Sequence, residues 1–286
     1  MGLENGRADR GSASQAGRGQ GGRCRCGRRC QGSQRMHTRG NQVLEGMFIS
    51  TQEPHRTIRS HITDSGESYL LVGGESHKTG QGGDTREHYR RIEQYAKEHF
   101  MIESIEYRWS TQDNMPADRV PFIGLFTLAS RRLYVATGFG GWGMTLGTVS
   151  GMILSDMVLK RPNPWLSLFD PNRFTSLTSA KKFIIENLNV ARELTAGHLI
   201  PPARRSFEDL ARGEGALIQA GEAKVAAYKD DQGRIHALSP NCTYPGCVVS
   251  WNSAEKSWDC PCHGSRFDYH GKVIHAPAIK DLVKKK

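Results

Sequence analysis

Lysine and acidic residues are scarce at the start of this chain. The first 40 residues contain no lysine and only Glu4 and Asp9 as acids, against nine arginines, so they carry +7 of the formal net charge of +10. The remaining residues are close to neutral, and the basic composition therefore does not identify the folded part as a nucleic-acid binder. An RNA-binding Gly/Arg tail is the alternative, but residues 1–45 lack the interleaved aromatics that stack on bases.

Apolar residues are also few, at 37%, which is low for one compact core. Residues 1–45 are mostly Gly, Arg, Ser and Gln without periodicity, so we expect a disordered tail. They contain no apolar signal sequence, which predicts a cytoplasmic protein. Residues 133–155 lack charge and are long enough to cross a bilayer, but they contain six glycines, so we predict no membrane association.

The seven cysteines form two groups, one near each end of the chain. Clustered cysteines in a cytoplasmic chain indicate a metal site more often than a disulfide scaffold. Cys24, Cys26 and Cys30 lie among arginines that would repel a cation and lack a second half of a zinc site, so we interpret them as incidental thiols.

Between these groups the pattern predicts strands and helices in alternation. Strands are predicted over residues 47–50, 68–72, 104–110 and 132–137, and helices over 85–100 and 144–159. A linker containing a helix follows over 175–197, and short apolar runs after Pro201-Pro202 predict a small β domain.

Two short loops in that β domain carry the strongest signal for chemistry. They read N-C-T-Y-P-G-C at 241–247 and D-C-P-C-H-G-S-R-F-D at 259–268. Thiolates suit iron–sulfur clusters, and imidazole ligands on one iron raise its potential. These loops, with Trp251-Asn252, Trp258 and H-A-P-A at 275–278, resemble the Rieske 2Fe–2S family over most of residues 205–286. That resemblance implies that Cys242 and Cys260 bind one iron, that His263 binds the other, and that Cys247 and Cys262 form a disulfide.

Tyr244 stands where the Rieske family has its second histidine. A neutral phenol is a poor ligand, so we expect a weakened, altered or absent cluster. The alternative is a Rieske fold kept for packing without metal. A zinc ribbon is a poorer interpretation, because Cys260, Cys262 and His263 are too close in sequence to serve one tetrahedron easily.

A glycine loop at 138–143 matches G-x-G-x-x-G between a predicted strand and a predicted helix. No second strand ending in an acidic residue follows, which argues against a dinucleotide fold. Residues 45–172 instead resemble the C-terminal part of FAD-dependent oxidoreductases of the D-amino-acid oxidase and glycine oxidase superfamily, through V-G-G-E-S-H-K-T-G-Q-G at 72–82, Y-R-W-S-T-Q-D at 107–113 and A-T-G-F-G-G-W-G-M-T at 136–145.

The resemblance implies that the glycine loop lies against the flavin ring, where N–H groups at a helix start favour negative charge. The residues assigned to this contact are Gly138, Phe139, Gly140, Gly141, Trp142, Gly143, Met144 and Thr145. The alternative is a turn that allows close strand–helix packing. Weaker candidates are His77, Lys78 and Gln81, which either face the active site or form a solvated turn. Trp109, Gln112 and Asp113 are a second set, which either line the flavin cavity or belong to the core. No general base is assigned, since the flavin carries the hard chemistry.

The predicted fold class is α+β, with an incomplete flavin-oxidoreductase domain (a mixed sheet with helices) followed by a small, mostly β Rieske domain. The predicted boundaries are 1–45 for the tail, 46–172 for the flavin region, 173–204 for the linker and 205–286 for the Rieske domain. No βαβ unit for the FAD pyrophosphate precedes residue 46, so we expect the rear half of a larger enzyme that binds FAD weakly or not at all.

The main functional hypothesis is a flavin-dependent amine or amino-acid oxidoreductase with a Rieske electron relay, a small amine or amino-acid substrate and a redox partner protein. The alternative is a non-catalytic remnant with a metal-free Rieske-like domain.

Overall fold

The computed structural model describes residues 44–173, 177–202, 206–244 and 246–285, together with the backbone of 26–38; within 177–183 it describes the backbone alone. In these parts the chain forms an N-terminal sheet region, a connecting helix and a β domain. The predicted α+β architecture is thereby confirmed.

The N-terminal region is built on a five-stranded sheet. Its strands are β1 (Cys26–Thr38), β2 (Met47–Ile49), β3 (Arg56–Ile62), β4 (Ser68–Lys78) and β5 (Ile102–Pro116). Their order is β2-β3-β4-β1-β5, and every described pairing is antiparallel. Helix α1 (Thr85–His99) covers the sheet and places Ile92 and Ala96 against Leu70 and Val72 in a buried cluster.

Strand β1 differs from the disorder predicted for residues 1–45. The composition of this segment indicates that it cannot build a core of its own. Its backbone instead pairs with β4 on one side and with β5 along almost its whole length on the other. Backbone hydrogen bonds to two neighbours do not depend on side-chain type, so composition gave no sign of them. Cys26 and Cys30 lie on this strand, and Cys24 lies outside the described residues.

A hairpin and a helix complete the N-terminal region. Strands β6 (Phe122–Leu125) and β7 (Tyr134–Thr137) pair with each other, and the glycine loop leads from β7 into α2 (Gly143–Val158). A short helix α3 (Leu166–Phe169) follows. Helix α2 buries only Ser150 and Ile153, while Met144, Met152 and Val158 are exposed. Among the described residues, no helix is long and apolar enough to span a membrane.

Helix α4 (Leu177–Leu199) lies between the two domains, within the residues predicted as a linker. Lys78 Nζ pairs with Glu186 of α4 at 2.7 Å on the N-terminal side. On the other side, Leu194 packs against the core of the C-terminal domain. Lys224 Nζ donates to three carbonyl oxygens at the end of α4, those of Gly197, His198 and Ile200.

The C-terminal domain consists of two small antiparallel sheets. One has the order β10-β9-β8 and the other β11-β12-β13-β14. The strands are β8 (Glu214–Ala220), β9 (Ala223–Lys229), β10 (Ile235–Leu238), β11 (Ser250–Asn252), β12 (Ser257–Asp259), β13 (Arg266–Asp268) and β14 (Val273–His275). Trp258 and Phe267 are fully buried between the sheets and share one core with Cys242, Cys247 and Cys260. The predicted cluster loops therefore lie at the edge of a packed core.

Candidate metal centre and flavin-facing loop

The two cysteine-bearing loops of the C-terminal domain are folded tightly and face each other. The backbone N–H of Cys242 donates to Cys247 O and closes the first loop, and Cys260 N–H donates to Ser265 O and closes the second. Cys242 and Cys260 are both buried in one core, where the Cys242 thiol donates to Tyr244 O at 2.8 Å and the Cys260 thiol is near enough to affect the pKa of Cys242. The structure thus brings together the two thiols that were predicted to bind one iron.

The surroundings of the Cys242 thiol favour a negatively charged sulfur. The hydrogen bond from Cys260 lowers the pKa of Cys242 to about 7, and the Ser265 hydroxyl, fully buried, acts in the same direction. The same coupling, together with burial, raises the pKa of Cys260. Backbone N–H groups of Cys262 and His263 donate to the Cys260 sulfur. Donors of this kind tune iron–sulfur clusters. The sequence analysis missed Ser265, although it lies within the quoted G-S-R-F segment.

Cys247 and Cys262 form a disulfide that joins the two loops. The sulfur atoms of Cys247, Cys260 and Cys262 lie within 4.8 Å of one another. Because the disulfide occupies two of these sulfurs, Cys260 and Cys242 are the free thiols that the two loops offer to a metal.

Tyr244 lies beside His263, with ring centroids 5.6 Å apart and planes 83° apart. The Tyr244 side of this pair is at the surface, since 36% of the residue is exposed. Cys242 and Cys260 can therefore supply both protein ligands of one iron. His263 can supply one of the two protein ligands of the other iron. A phenol occupies the remaining position.

The glycine loop lies at the start of α2 and adopts backbone angles that glycine favours. Gly138 and Gly140 have positive φ, and a Cβ there would lie 2.6 Å from Pro116 and 2.9 Å from Met115 respectively. Helix α2 begins without a side-chain cap at Trp142, so its first N–H groups lack the usual acceptor from an N-cap side chain. A helix start of this kind suits the electron-rich edge of a flavin ring.

A cavity of about 590 Å³ lies between the glycine loop and the sheet. Gly140, Gly141 and Trp142 line it from the loop side, and Trp109 lines it from β5. The structure thus brings Trp109 to the same cavity as the glycine loop. Arg59, which the sequence analysis did not identify, carries the only charge among the described lining residues.

Asp113 contacts the glycine loop directly. The Gly141 N–H donates to its carboxylate, while burial raises the pKa of this carboxyl. No βαβ unit occurs among the described residues, in which every strand pairing is antiparallel. The described residues therefore fit the ring of a flavin. They lack the βαβ unit that binds the pyrophosphate in dinucleotide-binding folds.

The remaining predicted candidates have different positions. His77 stacks on the buried His88, and Lys78 pairs with α4, so neither lines the cavity. Gln81 Nε2 donates to Pro261 O in the second cysteine loop, and Gln112 Nε2 donates to Gly264 O of the same loop. Of these three residues, Gln81 contacts the C-terminal domain, whereas His77 packs on α1 and Lys78 on α4; the active-site position expected for them stays a prediction.

Known protein families match both halves of the chain. The profile of the FAD dependent oxidoreductase family (DAO) matches residues 18–157, beginning within the predicted tail, and that of the Rieske 2Fe–2S domain matches residues 204–285. These families imply FAD and a 2Fe–2S cluster as cofactors.

Individual proteins are also similar to this chain. A Bacillus subtilis protein named as a Rieske 2Fe-2S iron-sulfur protein, YhfW, is 43% identical over 83% of this chain and 46% of its own length. The cytochrome b6-f complex iron-sulfur subunit of Prochlorococcus marinus is 33% identical over 49% of this chain and 72% of its own length. Glycine oxidase from Geobacillus kaustophilus is 16% identical, with a TM-score of 0.43 over 54% of this chain and 40% of that enzyme.

The chain spans about half the length of the first curated relatives it matches, at 46% and 49%. Within that span, both family matches fall on the two regions that the fold separates. The chain belongs to the proteins in which a region of the DAO family of FAD-dependent oxidoreductases precedes a Rieske 2Fe–2S domain.

Proposed function

We propose that this protein is a flavin-dependent oxidoreductase of the amine or amino-acid type whose Rieske domain relays electrons to a redox partner protein. The observation that carries the proposal is the buried thiol pair of Cys242 and Cys260, assembled with His263 on a domain that docks against the flavin-side region. Two free thiols side by side in this core would supply the two thiolate ligands that one iron needs.

The cavity beside the glycine loop supports an amino-acid substrate. Its walls include Phe48, Ile58, Val72 and Trp109, which suit an apolar side chain, and Arg59 offers a guanidinium to a carboxylate. FAD, when bound, supplies the acceptor for the hydride of the substrate C–H bond. Gly140, Gly141 and the start of α2 would orient the ring and exclude water from one of its faces.

In the Rieske domain, Cys242 and Cys260 would hold one iron and His263 the other. A 2Fe–2S cluster supplies a one-electron carrier. The N–H donors on Cys260 and the Ser265 hydroxyl on Cys242 would set its potential. A redox partner protein is supported by the iron-sulfur subunits among the relatives, whose names place them in a cytochrome complex.

A second candidate is a metal-free Rieske domain that serves for packing or partner binding. Tyr244 favours it, because the second iron then lacks one of its two imidazoles. The contacts of Gln81 and Gln112 with the second loop give such a domain a structural use.

The two candidates can be distinguished by measuring the iron and acid-labile sulfide content of the full-length protein after reconstitution without oxygen. The relay requires about two irons and two sulfides per chain and a paramagnetic signal after reduction. We expect Tyr244→His to load at least as much iron, and Cys242→Ser to lose it.

Tyr107→His is the control, because it adds a histidine at an exposed tyrosine of β5, away from the cysteine loops. A wild-type chain without iron that gains a cluster only in Tyr244→His would overturn the relay and support the metal-free domain.

A further inference from the structure

The loop after β4 forms a close-fitting seat for the second cysteine loop. Gly80 has φ +70°, and a Cβ added there would lie 2.7 Å from Pro261 N, 2.8 Å from Asp259 O and 2.9 Å from the Cys260 carbonyl carbon. All three atoms belong to backbone and cannot rotate away. The two domains therefore approach each other at Gly80 as closely as only glycine permits, directly at the predicted iron ligand Cys260.

Hydrogen bonds on both sides of Gly80 hold the same loop. Gln81 Nε2 donates to Pro261 O at 3.1 Å. Gln112 Nε2 donates to Gly264 O at 2.9 Å and to Thr79 Oγ1 at 2.8 Å, so one amide group ties the seat to the residue after His263. The second cysteine loop is thus held at its beginning, next to Cys260, and at its end, next to His263.

The start of α1 provides a separate anchor farther from the thiols. Asp84 is the N-cap of α1 and accepts a hydrogen bond from Ser253. Thr85 Oγ1 donates to Asn252 Oδ1 at 2.8 Å and accepts from Ala254 N–H at 3.0 Å. Because the two sets of contacts lie at different places on the C-terminal domain, they restrict both its distance from the N-terminal region and its rotation relative to that region.

Strand β5 joins this seat to the glycine loop through two successive residues. Side chains at neighbouring strand positions point to opposite faces. Gln112 reaches the second cysteine loop on one face, and Asp113 accepts from Gly141 N–H of the glycine loop on the other. One peptide unit therefore separates the group that contacts the Rieske site from the group that contacts the flavin-facing loop.

We propose that Gly80 and Gln112 are positioning residues that fix the second cysteine loop to the flavin-side region, so that β5 connects the two sites at a constant distance. The use of this connection for electron transfer rests on the function proposed above. The docking itself does not, because it involves only residues of this chain.

Hydrogen exchange of the full-length protein, read by mass spectrometry over residues 259–264, tests the seat. We expect Gly80→Ala to accelerate exchange of these amides at least tenfold, because its Cβ meets backbone. Gly83→Ala is the matched control: Gly83 has φ +80°, so the substitution strains the loop similarly, but its Cβ meets nothing within 4 Å. Equal effects of the two variants, or no effect of Gly80→Ala, would overturn the proposal. Peptides from β8 and β9 report any global unfolding.

A second variant tests Gln112 without adding bulk. Gln112→Glu keeps the shape and removes the donor to Gly264 O. Gln219→Glu is its control, since Gln219 Nε2 also donates to a glycine carbonyl at 2.9 Å, that of Gly221, away from the seat. We expect faster exchange at residues 262–265 in the first variant only.

The midpoint potential of the cluster tests whether Gln112 positions the iron ligands or only stabilises the fold. In iron-loaded Tyr244→His protein, Gln112→Leu, which removes the amide without adding a charge, should shift the midpoint potential of the cluster, whereas Gln219→Leu should leave it unchanged. A protein that loads no iron would end the proposed relay, and the exchange results would still decide the docking.

Discussion

A buried ion-pair network next to the second cysteine loop gives the sharpest stability prediction. Arg266 Nε donates to Asp259 Oδ1 at 3.0 Å, and the Arg266 guanidinium also pairs with Glu255. Asp259 is 2% and Arg266 is 8% exposed. Asp259 further accepts from Asn252 Nδ2 at 2.9 Å and from Ser257 Oγ at 2.8 Å. The carboxylate is thus surrounded by donors and has almost no access to water.

Asp259→Asn leaves Arg266 buried with one charged partner fewer. Breaking a buried pair from one side costs about 3–5 kcal/mol. Because Glu255 remains and is 22% exposed, we expect the low end, about 3 kcal/mol. Asp231→Asn is the control, since its carboxylate is 77% exposed and lies 3.6 Å from Lys256; surface pairs of this kind contribute about 0–1 kcal/mol.

Urea denaturation followed by tryptophan fluorescence measures the loss. Replacing Trp109, Trp142 and Trp165 by phenylalanine leaves Trp251 and Trp258 as the reporters of the C-terminal domain. Adding Arg266→Met to Asp259→Asn should recover much of the loss, because it removes the buried guanidinium, and Glu255, which then loses its partner, is 22% exposed. A loss below about 1 kcal/mol in the single variant, or no recovery in the double one, would refute the reasoning from burial and pairing.

Two further predictions concern other groups. Asp113→Asn should raise the free energy of unfolding at neutral pH, because burial raises the folded pKa of this carboxyl, and ionisation then disfavours the folded state at pH above the ordinary value near 3.8. Chemical denaturation at several pH values checks this, and an advantage of the variant that persists undiminished below pH 3.8 would contradict it. Lys224→Met should cost about 1 kcal/mol, since the ammonium caps three carbonyls at the end of α4. Thermal unfolding measures the loss against Lys272→Met, at an exposed lysine between β13 and β14, and equal losses would count against the capping role.

The parts of the site that depend on local sequence could be predicted. The two cysteine loops are short, and their resemblance to the Rieske family predicted that Cys242 and Cys260 lie together. Helices α1 and α2 begin and end within one residue of the predicted bounds, because their apolar spacing and flanking residues are local signals.

Features that depend on distant partners could not be predicted. Strand β4 continues through Gly73 and Gly74 to Lys78, where the sequence predicted an end. A Cβ at Gly74 would lie 2.7 Å from His55 O, so this glycine permits a close approach within the sheet. Likewise, the fit of Gly80 depends on the backbone of Cys260 and Pro261, 180 residues away.

Helix α4 has a consequence for how strong the contacts at Gly80 and Gln112 must be. A covalent connection of this kind makes docking intramolecular, with an effective concentration in the millimolar range for short linkers. A few hydrogen bonds that would give only a feeble complex between separate proteins can then keep the domains together for most of the time. If the chain were cut within α4, the same contacts would have to overcome the full entropic cost of association. The domains would then part at ordinary protein concentrations, although no residue of the docking seat had changed.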